Sequence, residues 1–211
     1  YGSYNHTMDL RTTLCSFGSP NQALLGIAAA QMGKFYGLEV SSNSGLADAI
    51  IPDLQAGFEK TVSAVLSCFA GAKGMGAQGV VGADQGISLE QLVLDNEWID
   101  AYNYILKGIE VTEETVAADV IEHIGIGGNF ISEEHTVEYM HKSYWPSALF
   151  NRGSWDNWLD KGSKSALDKA HEYVESVTAG YSDTEPVISS SKADELNYIA
   201  KCAGEELGRN V

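Results

Sequence analysis

Residues 18–42 read GSPNQALLGIAAAQMGKFYGLEVSS, and this run carries the key to the architecture. Ser19 is a helix-capping residue, and Pro20 suits the first helical position, where its missing N–H costs nothing. An apolar run follows to Tyr36, Gly37 ends it, and 38–42 reads as a short strand entering the loop SNSGLADAI. Upstream, 6–14 reads as another short strand, so the helix over 20–36 joins two strands. The unit recurs downstream. Pro52 opens a helix with Phe58, Val62, Val65, Leu66 and Phe69 at helical spacing. Then 78–82 reads as a strand, and Ser88 opens a helix through Leu92, Trp98 and Ile105 to Lys107, with Gln91 completing a capping box. Such a repeat of roughly 30–40 residues is the βα unit.

After Gly108 the pattern changes to helices alone, expected over 112–124, 132–143, 155–177 and 193–207. Trp145-Pro146 and 182–191 read as connections. We therefore expect strand–helix units in residues 1–108 and a helical extension in 109–211. Short strands, each followed by a long helix, characterise a (β/α)8 barrel or an open doubly wound sheet, and three units cannot close a barrel of eight. A first residue Tyr1 with no initiator methionine favours the second half of a barrel. The expected fold class is thus α/β, the C-terminal portion of a TIM barrel followed by closing α-helices.

The chain has 211 residues, 44% of them hydrophobic, enough to build a core. Thirteen Lys and Arg against 29 Asp and Glu give a net charge of −16, a field that repels nucleic acid and anionic membrane surfaces. No apolar run approaches the roughly 18 residues of a membrane span. Cys15, Cys68 and Cys202 are odd in number and far apart, so neither a disulfide framework nor a CxxC site is available, and a reducing cytoplasm is expected.

Few motifs carry chemistry by themselves. The glycines over 74–79 enter a strand, whereas a dinucleotide fingerprint leaves one. Gly125-Ile126-Gly127-Gly128 reads as a helix stop and turn. His135 and His141, six apart, fall on different helix faces, so no metal site is expected. No GxSxG elbow accompanies the Ser, His and Asp residues. More promising are the C-terminal ends of the strands, where barrels place catalytic groups: Arg11 and Thr12, the loop over 41–51, and 82–85. Within the middle loop, Asp48 is expected to cap the helix opened by Pro52, with Ile50 or Ile51 as a hydrophobic staple.

Taken in order, the pieces resemble the trimethylamine methyltransferase family. The residues that carry the resemblance are Asp9-Leu10-Arg11-Thr12, Gly18-Ser19-Pro20, Ala28-Ala29-Ala30-Gln31, Phe35-Tyr36-Gly37-Leu38, Ala47-Asp48-Ala49 and Pro52-Asp53-Leu54-Gln55-Ala56-Gly57. They continue with Gly125 to Phe130, His135-Thr136, Trp145-Pro146, Phe150-Asn151-Arg152 and Trp158. The resemblance implies a TIM barrel longer than this chain. It also implies transfer of a methyl group from trimethylamine to the Co(I) of a corrinoid carried by a cognate partner protein, in methylamine metabolism. The enzyme itself would hold no cofactor tightly and would be a homo-oligomer.

By its place before the Pro-Asp-Leu-Gln-Ala-Gly segment, Ile50 resembles the position where the trimethylamine branch carries pyrrolysine, the catalytic residue. Isoleucine has no electrophile, so imine chemistry requires that the natural residue differ. A quaternary amine such as glycine betaine needs no such help. A carboxylate or an aromatic face supports a cationic substrate, and Asp48, Asp9, Arg11, Tyr4 and Tyr36 are the expected substrate-binding residues. Beside the trimethylamine enzyme stand a betaine-type methyltransferase and a non-catalytic module that binds a partner.

Overall fold

The computed structural model describes residues 2–3, 5–76, 78–180, 188–206 and 208. It is a mixed α/β structure, mostly helical, in two compact units, residues 1–174 and 175–211. In the first unit the strands are β1 (Gly2–Ser3), β2 (Thr7–Asp9), β3 (Leu14–Ser16), β4 (Ser41–Ser42), β5 (Val80–Val81) and β6 (Gly86–Ile87). β1 pairs in parallel with β4, and Ser41 makes a parallel bridge to Gly74. Three successive parallel segments therefore stand side by side, joined by helices α1 (Pro20–Phe35) and α2 (Leu54–Ala70) and followed by α3 (Leu89–Lys107).

Two expected strands take a different form. The run 6–14 is not one strand: β2 pairs antiparallel with β3, Thr7 opposite Ser16. The chain reverses because Thr13 adopts a left-handed φ of 60° and its N–H donates to Asp9 O at 2.7 Å, while the Asp9 side chain accepts from Arg11 N at 2.9 Å. In the third unit the parallel position belongs to Gly74, and β5 within the expected 78–82 pairs antiparallel with β6. Both hairpins thus lie in the segments that follow the parallel strands.

Capping follows the sequence for α1 and α3 and departs from it at α2. Ser19 accepts from Gln22 N and Pro20 opens α1. Ser88 accepts from Gln91 N, but the Gln91 amide turns to Asp95 Oδ1 at 2.7 Å instead of closing a capping box, and Ser88 N donates to Gly79 O. The cap of α2 is Asp53, which accepts from Ala56 N. Asp48, expected there, is five residues too early and bonds elsewhere, as described below.

The faces that α1 and α2 bury are set mostly by small residues. α1 buries Ala23, Gly26, Ala29, Ala30 and Gly33 while Leu24 and Phe35 stay exposed. A Cβ on Gly26 would overlap Ser67 Oγ, and one on Gly33 would overlap the Val40 side chain, so both glycines are fixed by close approach. α2 correspondingly buries Ala56, Lys60, Ser63, Ala64, Ser67 and Cys68, leaving Phe58 and Phe69 outward. Of the apolar residues at helical spacing, Phe58, Leu66 and Phe69 are exposed and Val62 and Val65 half-buried. Within the seam, small side chains let Gly26 of α1 lie directly against Ser67 of α2.

Beyond α3 the first unit holds α4 (Glu113–Val116), α5 (Ala118–Ile124), α6 (Glu134–Tyr139), α7 (Trp155–Asp160) and most of α8 (Ala166–Ala179). Ala117, at φ 49°, breaks the expected helix over 112–124, and Gly162 and Ser163, at φ 86° and 57°, break the one over 155–177. Leu94, Leu149 and Ala170 form a small core with Trp98 and Phe150 around it, and Glu97 accepts from Ser147 Oγ and Leu149 N. The second unit contains α9 (Ser190–Glu206), and the connection expected over 182–191 falls mostly outside the described residues. Among the described residues no helix is long and apolar enough to cross a membrane.

Candidate functional site

The segments after the three parallel strands meet around two neighbouring cavities. One, of about 220 Å³, is lined by Asp9 and Cys15 from the β2–β3 hairpin, Asp48 and Ile50 from the second segment, and Gly82 and Gln85 from the third. The other, of about 410 Å³, is lined by His6, Phe17, Asn43, Met75, Gln78 and Asp84. The first touches all three stretches singled out in the sequence, through Thr12, Asp48, Ile50 and Gly82, and the second touches 41–51 and 82–85.

Asp48 is the hub. Its Oδ2 accepts from Ser16 Oγ at 2.6 Å and its Oδ1 from Phe17 N at 2.6 Å, so the carboxylate ties the second segment to the first. From behind, Glu59 Oε2 accepts from Asp48 N at 2.7 Å and Ala49 N at 3.2 Å. Gly18 has no Cβ because Glu59 fills that space. The third segment joins through backbone bonds, Gly82 N to Ala49 O at 2.7 Å and Ala83 N to Ala47 O at 3.0 Å. Ala47 and Ala49 are buried with Ala56, and Ile50 emerges from this anchored stretch 76% exposed on the cavity wall.

Asp9 lies at the same cavity with its carboxylate already engaged. Arg11 Nη2 donates to Asp9 Oδ2 at 2.8 Å and Arg11 Nε to Oδ1 at 3.2 Å. The Arg11 side chain, its backbone N–H and its charge hold the Asp9 carboxyl at about 2 against an ordinary 3.8. Since folding depresses this pKa, the ionised pair is intact above about pH 4 and is lost as pH falls through about 2. Arg11→Ala is expected to raise the Asp9 pKa toward the ordinary carboxylate range, short of a full return because the residue 11 N–H still donates to Oδ1, as read by carboxyl NMR titration. An unshifted titration in the variant would refute the pairing.

Tyr36 caps the C-terminal end of α1, with its ring edge-on to Phe35, and does not line either cavity. Tyr4 lies outside the described residues. His6, Asn43 and Asp84 were not among the expected site residues. Asn43 Nδ2 lies 3.0 Å from His6 Nε2, and the His6 ring sits 4.2 Å from that of Phe17. Glu59 and Lys60 were missed as well, although two charged residues inside an apolar helical run were a visible signal. Lys60 Nζ is buried against Asp95 Oδ2 at 2.8 Å and Gly45 O at 3.3 Å, while Asp95 Oδ2 also accepts from Gly79 N at 2.8 Å. This pair braces the second and third segments from below. Among the described residues no group of His, Cys, Asp and Glu could hold a metal ion.

Fold and site together define an α/β protein with small-molecule-sized cavities built from the connections that follow parallel strands. The family model "Trimethylamine methyltransferase (MTTB)" matches residues 1–206, and the chain belongs to that family. The trimethylamine methyltransferase MttB of Methanosarcina thermophila is 37% identical over 176 residues, covering 82% of this chain and 36% of that protein. MttB of Desulfitobacterium hafniense strain DCB-2 is 34% identical over 208 residues, covering 99% and 41%. A glycine betaine methyltransferase of D. hafniense strain Y51 is 29% identical over 209 residues, covering 99% and 43%. The chain thus spans about two fifths of the length of these curated relatives.

Proposed function

We propose that the chain is part of a methyltransferase that moves a methyl group from trimethylamine to the Co(I) of a corrinoid on a separate protein. The three parallel segments would be consecutive strands of a (β/α)8 barrel, with the two cavities on the side where barrels hold their sites. The observation that carries the reading is Ile50. It projects from a rigidly tied stretch into the cavity wall with three quarters of its surface free. An isoleucine gains little there, whereas a longer side chain bearing an electrophilic imine would reach across the cavity. Such a group could take up the amine and orient it.

In the transfer, the C–N bond breaks with its electron pair left on nitrogen, and Co(I) supplies the pair of the new Co–C bond. The nitrogen must be cationic to leave. With Asp9 neutralised by Arg11, the charges available to support that cation are Asp48 and, at the adjoining cavity, Asp84, with Phe17 as an aromatic face.

The mass of the peptide over 47–60, from protein isolated at its natural source, tests the reading. A residue 50 heavier than isoleucine by the difference to a lysine carrying a methylpyrroline ring is the expected result. An isoleucine mass would reject imine chemistry. The second reading, a betaine-type enzyme with ordinary residues throughout, would then stand, favoured by the isoleucine in the sequence and by the betaine relative. Methylation of Co(I) by glycine betaine would select it.

A further inference from the structure

A separate cavity of about 430 Å³ lies between residues 147 and 169, and it shares no lining residue with the two above. Its walls include Arg152, Lys161, Lys164 and Lys169, four of the chain's 13 basic residues, gathered in a chain of net charge −16. Acidic side chains are absent from its lining among the described residues.

The four cations are not equally occupied. Lys164 Nζ pairs with Glu172 Oε1 at 2.6 Å. Lys169 Nζ donates to Leu149 O at 2.9 Å and Asn151 Oδ1 at 2.6 Å, which fixes it without neutralising it. Arg152 and Lys161 have no carboxylate partner among the described residues. Phe150 and Trp158 supply the apolar walls, and Trp158 is held in place by its Nε1 donating to Lys164 O at 2.9 Å. Three cations without a carboxylate partner line one concavity, and an oxyanion seated there is attracted by all three. Guanidinium and ammonium groups together match phosphoryl oxygens, and the volume exceeds what an inorganic ion fills.

We propose that this cavity binds a small organic phosphate, its phosphoryl group between Arg152 and Lys161 and its carbon skeleton against Phe150 and Trp158. Calorimetric titration of the full chain at low salt with phenyl phosphate, inorganic phosphate and citrate tests it. Saturable binding is expected, with phenyl phosphate tightest. Arg152→Ala with Lys161→Ala should weaken that binding about tenfold or more. Both side chains are exposed, so the fold should survive, and a thermal melt checks this. Lys73→Ala with Lys142→Ala removes equal charge elsewhere and should change binding less than about twofold. The proposal is overturned by no saturable binding at millimolar concentration, by citrate binding as tightly as phenyl phosphate, or by equal effects of the two double variants.

Discussion

Lys60→Met is expected to destabilise the chain by about 3–5 kcal/mol, the usual cost of leaving one partner of a buried ion pair uncompensated. Lys60 and Asp95 side chains are 1% and 0% exposed, so water cannot replace the lost ammonium. Asp95 would keep only Gly79 N and the Gln91 amide as donors around a full negative charge. Adding Asp95→Asn should recover most of the loss, because an asparagine carbonyl still accepts from Gly79 N without carrying charge. Urea unfolding of the parent, the single variant and the double variant measures both effects. A single variant within about 1 kcal/mol of the parent would show that the pair contributes little.

Asp48→Ala is expected to have the second large effect, and on two readouts. It strands the Phe17 N–H and the Ser16 hydroxyl, with a stability loss of about 1–3 kcal/mol. It also frees the first hairpin from the stretch that carries Ile50, and a displacement of about 1 Å in a wall of such a site can cost on the order of a hundredfold in rate. In the proposed reaction that loss would appear in methyl transfer from trimethylamine or betaine to Co(I). Asp48→Asn separates the contributions: its carbonyl can keep the bond to Phe17 N while the negative charge is gone. Full activity in Asp48→Asn would leave the carboxylate with a positioning role alone.

The alternation of strand and helix was readable because caps and breakers are local. Ser19-Pro20, Gly37 and Ser88 act through their own backbone geometry, and the structure uses them where the sequence places them. Burial is a property of two surfaces, and the spacing along one helix does not set it. Phe58 and Phe69 lie at helical spacing, yet α2 turns its small face to α1, where Gly26 permits a close approach to Ser67. Asp48 shows the same limit at the site. Its place before Pro52 fits a cap, but Asp53 is better placed in the chain and leaves Asp48 free for Ser16 and Phe17, about thirty residues away. Tertiary partners at that separation leave no periodic trace. The meeting of Asp9, Asp48, Ile50 and the 82–85 segment was legible as a set of strand ends, whereas the engagement of Asp9 by Arg11 was not.

The unequal tethering of the cavity walls bears on how a substrate gets in. The 47–49 stretch and the β5–β6 turn are stitched by two backbone bonds, both of which must break before the two can part. The β2–β3 hairpin is held to them chiefly by a single carboxylate. Opening of the cavity is therefore expected to be asymmetric, with the hairpin yielding before the wall that bears residue 50. Such an arrangement lets solvent and ligand exchange on the timescale of loop motion while residue 50 itself keeps its aim.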